Sequence, residues 1–161
     1  MYHFFAMLSR MKYINRWGLM RNTRSENICE HSLEVALVAH ALATIGNQKF
    51  GKAYNPERAA MLAVLHDASE IITGDMPTPV KYHSEEIRRA YAEVEDMAVE
   101  HLVSMLPEDL RDQYREIMTM SGEEDQTLRP LVKAADKISA VIKCVEAVSY
   151  THLTLPTILR V

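Results

Sequence analysis

Residues that interrupt helices are scarce in this sequence, which has five glycines and six prolines among 161 positions. Ala, Leu, Met, Glu and Lys are plentiful, so the composition points to an all-α fold. Cysteine is scarcer still. Cys29 and Cys144 stand far apart, with neither a Cys-x-x-Cys pair nor a secreted-scaffold spacing. That excludes a disulfide framework, suits a reducing compartment and reads as two buried thiols. Basic charge is also short, with 18 Lys and Arg against 22 Asp and Glu for a net charge of -4. Such a chain lacks the electrostatic footprint of a duplex-binding protein. Finally, no uninterrupted apolar run approaches the length of a membrane span, and Arg10, Lys12 and Arg16 stand where a signal peptide needs apolar residues. A cytoplasmic protein is expected, and its length suits one domain with one sizeable core.

What is present is helical periodicity. Phe4, Leu8 and Met11, with Phe5 on the adjoining row, predict a first helix over residues 2–15, ended by Gly18. From about Glu26 to Ile45 the apolar positions begin on one face and then spread all round, as in a helix threaded through a core. Asn55-Pro56 is an N-cap followed by proline at the first helical position, and Ala59, Leu62, Ala63 and His66 continue a third helix to about Thr73. Gly74 is placed to cap it, and the two prolines of Asp75-Met76-Pro77-Thr78-Pro79 predict a tight loop. A long amphipathic helix follows on Ile87, Tyr91, Val94, Ala98, Leu102 and Met105. Another begins at Pro107 and carries Leu110, Tyr114, Ile117 and Met118, and a last one spans roughly Thr127 to Val148. The expectation is a bundle of about six helices. Residues 149–161, where Thr and Leu alternate around Pro156, lose the period and read as an aberrant tail on a domain of residues 1–148, either an edge strand or ordered tail or a non-native segment.

Ligand-type side chains interrupt three of these apolar faces. His31 lies one turn before Val35, His66 continues the Leu62-Ala63 face with Asp67 beside it, and Asp136 shares a row with Val132 and Ala140. A core histidine bonded to a carbonyl, or an aspartate paired with Lys133 or Lys137, accounts for any one of them alone. The set of His31, His66, Asp67 and Asp136 instead fits one divalent metal site. Two imidazoles and two carboxylates suit manganese, iron, cobalt or zinc better than magnesium. Four protein ligands on an octahedral ion leave positions for a phosphate oxygen and a water, as metal-assisted hydrolysis requires.

The order His31, His66-Asp67, Asp136 resembles the HD-domain metal phosphohydrolases, and the surrounding words are closer still to bacterial 5′-deoxynucleotidases of the YfbR type. These words are Ile14-Asn15-Arg16-Trp17, Arg24-Ser25-Glu26-Asn27 running into Glu30-His31-Ser32, His66-Asp67-Ala68-Ser69-Glu70, Thr73 to Tyr82, and Val132 to Asp136. The resemblance runs from about Phe4 to Glu146. It implies an all-α HD-type bundle lacking its C-terminal helices, a deoxyribonucleoside 5′-monophosphate substrate and a homodimer. Glu70, one turn after His66, is the candidate general acid/base; a carboxylate near a helix C-terminus opposes the helix dipole, which favours a functional role, and the resemblance agrees. Arg16 is shaped to grip a phosphate. The resemblance places Trp17 against the sugar. Asp75 is a candidate to orient the attacking water or the 3′-hydroxyl, with Thr78 and Lys81 as further candidates for the same pocket. Two rival readings remain at this level: another HD-type reaction, on a nucleoside triphosphate or cyclic nucleotide, and a non-catalytic helical module with a buried polar network.

Overall fold

The computed structural model describes residues 3–20 and 24–151. In chain order it contains α1 (Phe4–Leu8), a 3₁₀ turn (Ser9–Tyr13), α2 (Ile28–Phe50), α3 (Pro56–Leu65), α4 (Glu70–Thr73), α5 (Thr78–Lys81), α6 (Glu85–Ser104), α7 (Glu108–Thr119) and α8 (Asp125–Thr151). Strands are absent among the described residues; the sole extended pairing is one antiparallel bridge between Asn15 and Asn27. The all-α expectation holds.

α2 is the axis of the bundle. Asn27 opens it with a capping box: its side chain accepts from the backbone N–H groups of Cys29 and Glu30, and Glu30 accepts the Asn27 N–H in return. Gly51, at φ 60°, closes it in the left-handed conformation that costs glycine least. Val35, Ala36, Ala39 and Ala43 of α2 meet Ala59, Leu62 and Ala63 of α3 and Val132 and Ala135 of α8 in one buried cluster. The small side chains let these three backbones approach closely, which brings their polar residues within reach of one another. With a mean hydropathy of 1.3 over its most apolar stretch, α2 is long and apolar enough to cross a membrane. Part of that apolar surface supplies the bundle core, while Leu33, Leu37 and Ile45 stay exposed.

Several boundaries differ from the sequence reading. The expected first helix is a short α-helix followed by a 3₁₀ turn, and Phe5 on its adjoining row is exposed. α3 stops at Leu65, and the chain turns through His66–Ser69 before resuming at Glu70. The predicted tight loop winds into α5 at Thr78, because Pro79 falls in its first turn, where a missing N–H costs nothing. Ile87 and Val94 on the expected face of α6 stay exposed, since that half of the helix leans on the short α4 and α5. Cys29 and Cys144 are both exposed rather than buried, Cys29 because it lies in the first turn of α2, ahead of the core-facing stretch. α8 runs through the expected break at 149 to Thr151, and residues 152–161 lie outside the described residues.

A polar clamp fixes α3 against α7 and α8. The Arg58 guanidinium donates to both oxygens of the fully buried Asp125, each at 2.8 Å, and to Glu116 at 2.6 Å. Gly122 N–H adds a bond to Asp125 at 3.1 Å. Arg58 holds the Asp125 carboxyl below its ordinary range, so the clamp is complete above that range and weakens as pH falls through the folded-state value. Replacing Arg58 with Ala strands a buried carboxylate and is expected to cost about 3–5 kcal/mol in urea unfolding near neutral pH. As pH falls below about 4, the ordinary range for Asp, the gap between the variant and its parent should narrow; a gap independent of pH would contradict this assignment.

Candidate functional site

The site forms where α2, the turn after α3, and the middle of α8 meet. Asn15 and Asn27 bridge through Arg16 N–H to Glu26 carbonyl (2.9 Å) and Ile28 N–H to Ile14 carbonyl (3.0 Å), which lashes the Arg16-Trp17 segment to the start of α2. His31, one turn into α2, is fully buried. His66 and Asp67 occupy the turn that ends α3, and Asp136 projects from α8. His31 Nε2 lies 3.1 Å from Asp136 Oδ1 and 3.5 Å from Asp67 Oδ2, and His66 Nε2 lies 3.1 Å from the same Asp67 oxygen. The two rings are 5.3 Å apart. Asp136 is less enclosed than a core-facing aspartate, with 42% of its side chain exposed, so it closes the cluster on its open side.

Both Nε2 atoms are buried without a partner in hydrogen-bond alignment, although carboxylate oxygens crowd them. On the far side of each ring the nitrogen is engaged: His66 Nδ1 donates to Ala63 carbonyl at 2.7 Å, and His31 Nδ1 faces Ser139 Oγ at 3.1 Å. Unmatched nitrogen lone pairs beside carboxylates suit a divalent cation, and His31, His66 and Asp67 can each offer one atom to it within 4.8 Å of the others. Charge coupling within the cluster is strong. Burial raises the Asp67 pKa, but the neighbouring His66 and His31 outweigh it and hold the carboxyl low. His31 beside it is the leading cause of a lowered Asp136. For His66, burial opposes the charged ring, yet Asp67 raises it overall.

Glu70 lies beyond this group. Burial, reinforced by the charges of Asp67 and Asp75 and partly offset by Arg16 and Lys81, pushes its carboxyl up to about 9. Its Oε2 is buried without a hydrogen-bond partner. The dipole argument for Glu70 is corrected by the fold. Because the chain breaks after Leu65, Glu70 stands in the first turn of α4, where a carboxylate is electrostatically welcome. What sets it apart is instead its burial among carboxylates.

Arg16 is buried, donating to Glu26 Oε1 at 2.7 Å, with its other terminal nitrogen 4.0 Å from Asp136. Trp17 takes a left-handed backbone (φ 56°), an arrangement costing roughly 1–2 kcal/mol for a residue with a Cβ. Its N–H donates to Asp75 Oδ2 at 2.5 Å, its carbonyl accepts from Met20 N–H at 2.8 Å, and the Lys143 ammonium sits 4.9 Å from its ring centroid. Asp75 follows Gly74, whose φ of 71° and ψ of 167° suit glycine. Lys81 is engaged elsewhere, bonded to Glu95 at 2.6 Å and stacked on Tyr91. Thr78 is exposed at the head of α5, with no side-chain contact to the cluster.

Four residues to which the sequence reading gave no role belong to the site's support. Glu26 pairs with Arg16 and with Lys143 (2.6 Å) and approaches His31 Nδ1 at 3.5 Å. Burial opposes its charge, but the two cations keep its carboxyl low. Ser139 and Lys143 follow Asp136 at helical spacings of three and seven, so the α8 face bearing the expected ligand could have flagged them. Glu34, one turn after His31, accepts from Ser139 at 3.0 Å. A cavity of about 350 Å³ also opens beside His66 and Asp136, lined further by Glu95, Thr119, Arg129 and Lys133; its lining does not include Arg16, Trp17 or Asp75.

Known proteins resemble this chain over most of its length. Residues 3–152 match the family described as 5′-deoxynucleotidase YfbR-like. A curated 5′-deoxynucleotidase of Vibrio cholerae is 54% identical over 147 residues, covering 91% of this chain and 75% of the relative. A crystal structure of an HD-domain phosphohydrolase from Listeria innocua superposes with a TM-score of 0.77 at 25% identity, covering 90% of this chain and 68% of that one. Another solved structure, the cyanophage S-2L HD phosphohydrolase DatZ bound to dA and one catalytic Zn²⁺ ion, has a TM-score of 0.62 at 25% identity, covering 92% of this chain and 78% of that one. An HD-type helical bundle with its histidines and aspartates gathered at one junction, matched at this identity across nearly its whole length, belongs to the YfbR-like 5′-deoxynucleotidase family.

Proposed function

We propose that this chain hydrolyses deoxyribonucleoside 5′-monophosphates to deoxynucleoside and phosphate in a metal-dependent reaction in the cytoplasm. The observation that carries the reading is the pair of buried Nε2 atoms, on His31 and His66, turned without hydrogen-bond partners toward Asp67 and Asp136. These four residues would hold one divalent ion, with cobalt, manganese, iron or zinc as the candidates their donor set favours. When bound, such an ion supplies Lewis-acid charge to the phosphoryl group and acidifies water.

The chain's own residues do the rest. Arg16 has one terminal nitrogen anchored by Glu26, so its remaining donors are free to face a phosphate from a fixed position. Glu70 is the proton carrier. Its carboxyl, raised by burial and by Asp67 and Asp75, keeps a proton at neutral pH in the metal-free chain. It can pass a proton to the leaving 5′-oxygen as the P–O bond breaks and recover one from the attacking water. Trp17 and Asp75 are joined by the Trp17 N–H bond; in this reading the indole closes against C2′ and the second Asp75 oxygen serves the 3′-hydroxyl or the attacking water. Lys81 is committed to Glu95, so it acts on Glu70 through its charge alone, and Thr78 is assigned to the pocket rim. A homodimer, which the family resemblance implies, would bury the exposed apolar rows of Leu33 and Leu37 on α2 and Val141 and Val145 on α8.

Replacing His66 or Asp67 with Ala should remove most bound metal by elemental analysis, together with phosphate release from deoxynucleoside monophosphates. Glu70→Ala should retain the metal while slowing kcat by roughly 10²- to 10⁴-fold. Metal lost together with rate in the Glu70 variant would make Glu70 a ligand, and full activity in a metal-free His66 variant would overturn the metal-dependent mechanism.

Sugar selection is tested at Trp17. Exclusion of a 2′-hydroxyl by a tight indole corresponds to about 10- to 200-fold in kcat/KM between matched deoxy- and ribonucleotides. Trp17→Ala should shrink that ratio without changing metal content. An unchanged ratio in a folded variant would move the discrimination to Asp75 and its loop, while a parent with no deoxy preference would mark a general 5′-nucleotidase.

A further inference from the structure

Ser139 lies one turn beyond Asp136 on α8 and is 1% exposed. A serine inside a helix commonly returns its hydroxyl to a carbonyl of the preceding turn. This one reaches across to α2 instead. Its Oγ donates to Glu34 Oε2 at 3.0 Å and stands 3.1 Å from His31 Nδ1. A hydroxyl has a single proton, and an ionised carboxylate can only accept, so that proton belongs to the Glu34 bond. Oγ therefore presents lone pairs to His31, and Nδ1 must carry the ring's proton. Glu26 Oε1 also lies 3.5 Å from this nitrogen, while Asp136 Oδ1 (3.1 Å) and Asp67 Oδ2 (3.5 Å) face Nε2 outside hydrogen-bond alignment. His31 and Glu34, three residues apart on α2, grip the serine from two sides.

We propose that Ser139, held by Glu34, is a positioning residue that fixes His31 as its Nδ1–H tautomer and turns the Nε2 lone pair toward the metal position. The inference rests on the reading of His31 as a ligand. Its partner ring needs no such device, because His66 Nδ1 is oriented by the Ala63 carbonyl at 2.7 Å. Orientation of His31 thus depends on side chains, and one of them, Glu34, is exposed and touches none of the proposed ligands directly. Removing Glu34 frees the serine proton to point at Nδ1, which then favours the tautomer that blocks Nε2.

The test uses the full chain in two measurements. Long-range ¹H–¹⁵N NMR of the metal-free protein reads the His31 tautomer, and competition with a chelator gives Co²⁺ affinity for the parent, S139A, S139T and E34A. The parent should show the Nδ1–H pattern. S139A should bind Co²⁺ about 10- to 100-fold more weakly, the range for losing an orienting partner behind a ligand, while S139T, which keeps the hydroxyl, restores the affinity. E34A should move the His31 signals toward Nε2–H and weaken Co²⁺ binding, and because Glu34 is exposed it tests the proposal even where S139A fails to fold. An Nε2–H tautomer in the parent, or parent-like affinity in both S139A and E34A, overturns it. H31A keeps the two readings separable: undiminished Co²⁺ affinity there removes His31 from the ligands, whereas weakened binding in H31A with parent affinity in S139A and E34A refutes the positioning role alone.

Discussion

Two imidazole nitrogens, His31 Nε2 and His66 Nε2, are buried beside carboxylates with no aligned hydrogen-bond partner, and the rest of the polar architecture depends on that arrangement. Polar atoms taken out of water without partners oppose folding. A cluster that also gathers Asp67, Asp136 and Glu70 adds mutual repulsion among the carboxylates. The fold tolerates this because the surrounding apolar contacts of α2, α3 and α8 are extensive and because each ring is tied down at its other nitrogen. A divalent cation answers both demands at once, satisfying the lone pairs and neutralising the carboxylates. Its binding free energy would therefore also be folding free energy for this junction.

The supporting charges follow the same logic. Glu26 is surrounded by Arg16, Lys143 and the His31 ring, so one carboxylate aligns two cations that face the site. Lys143 in turn covers the Trp17 ring, and Asp75 holds the Trp17 N–H. Arg16 and Trp17, proposed to grip the phosphate and to face the sugar, are thus adjacent in sequence but fixed by different partners. Glu70 occupies the opposite regime, a carboxyl made hard to ionise by burial and neighbouring negative charge. In the proposed reaction Glu70 would serve as the acid and Arg16 as the anion holder that phosphomonoester cleavage asks of a protein.

Much of this was legible in the chain. The apolar periods of α2, α3, α6, α7 and α8 announced the helices that carry the core, and His31, His66, Asp67 and Asp136 stood out because polar residues on apolar faces need a reason. What local pattern could not supply was the break after Leu65, which placed Glu70 at a helix start rather than an end and changed the argument for it. Nor could it supply partners distant in sequence. Trp17 and Asp75 are 58 positions apart, and Ser139 is 108 from His31 and 105 from Glu34. The Ser139 contacts depend on which faces of α2 and α8 meet, a consequence of packing small alanines against one another. Lys81 illustrates the reverse case, where proximity in sequence suggested the pocket and a carboxylate on α6 claimed the side chain.

The central claim is that one divalent ion at this junction makes the chain a phosphomonoesterase. Its most direct test is a titration of the metal-free protein with Co²⁺ or Mn²⁺, following phosphate release from a deoxyribonucleoside 5′-monophosphate at each increment. The account predicts no release without metal, a linear rise, and a plateau at one equivalent per chain. Release that is independent of added metal, or a chain that binds one equivalent and stays inert toward every such substrate, would contradict it.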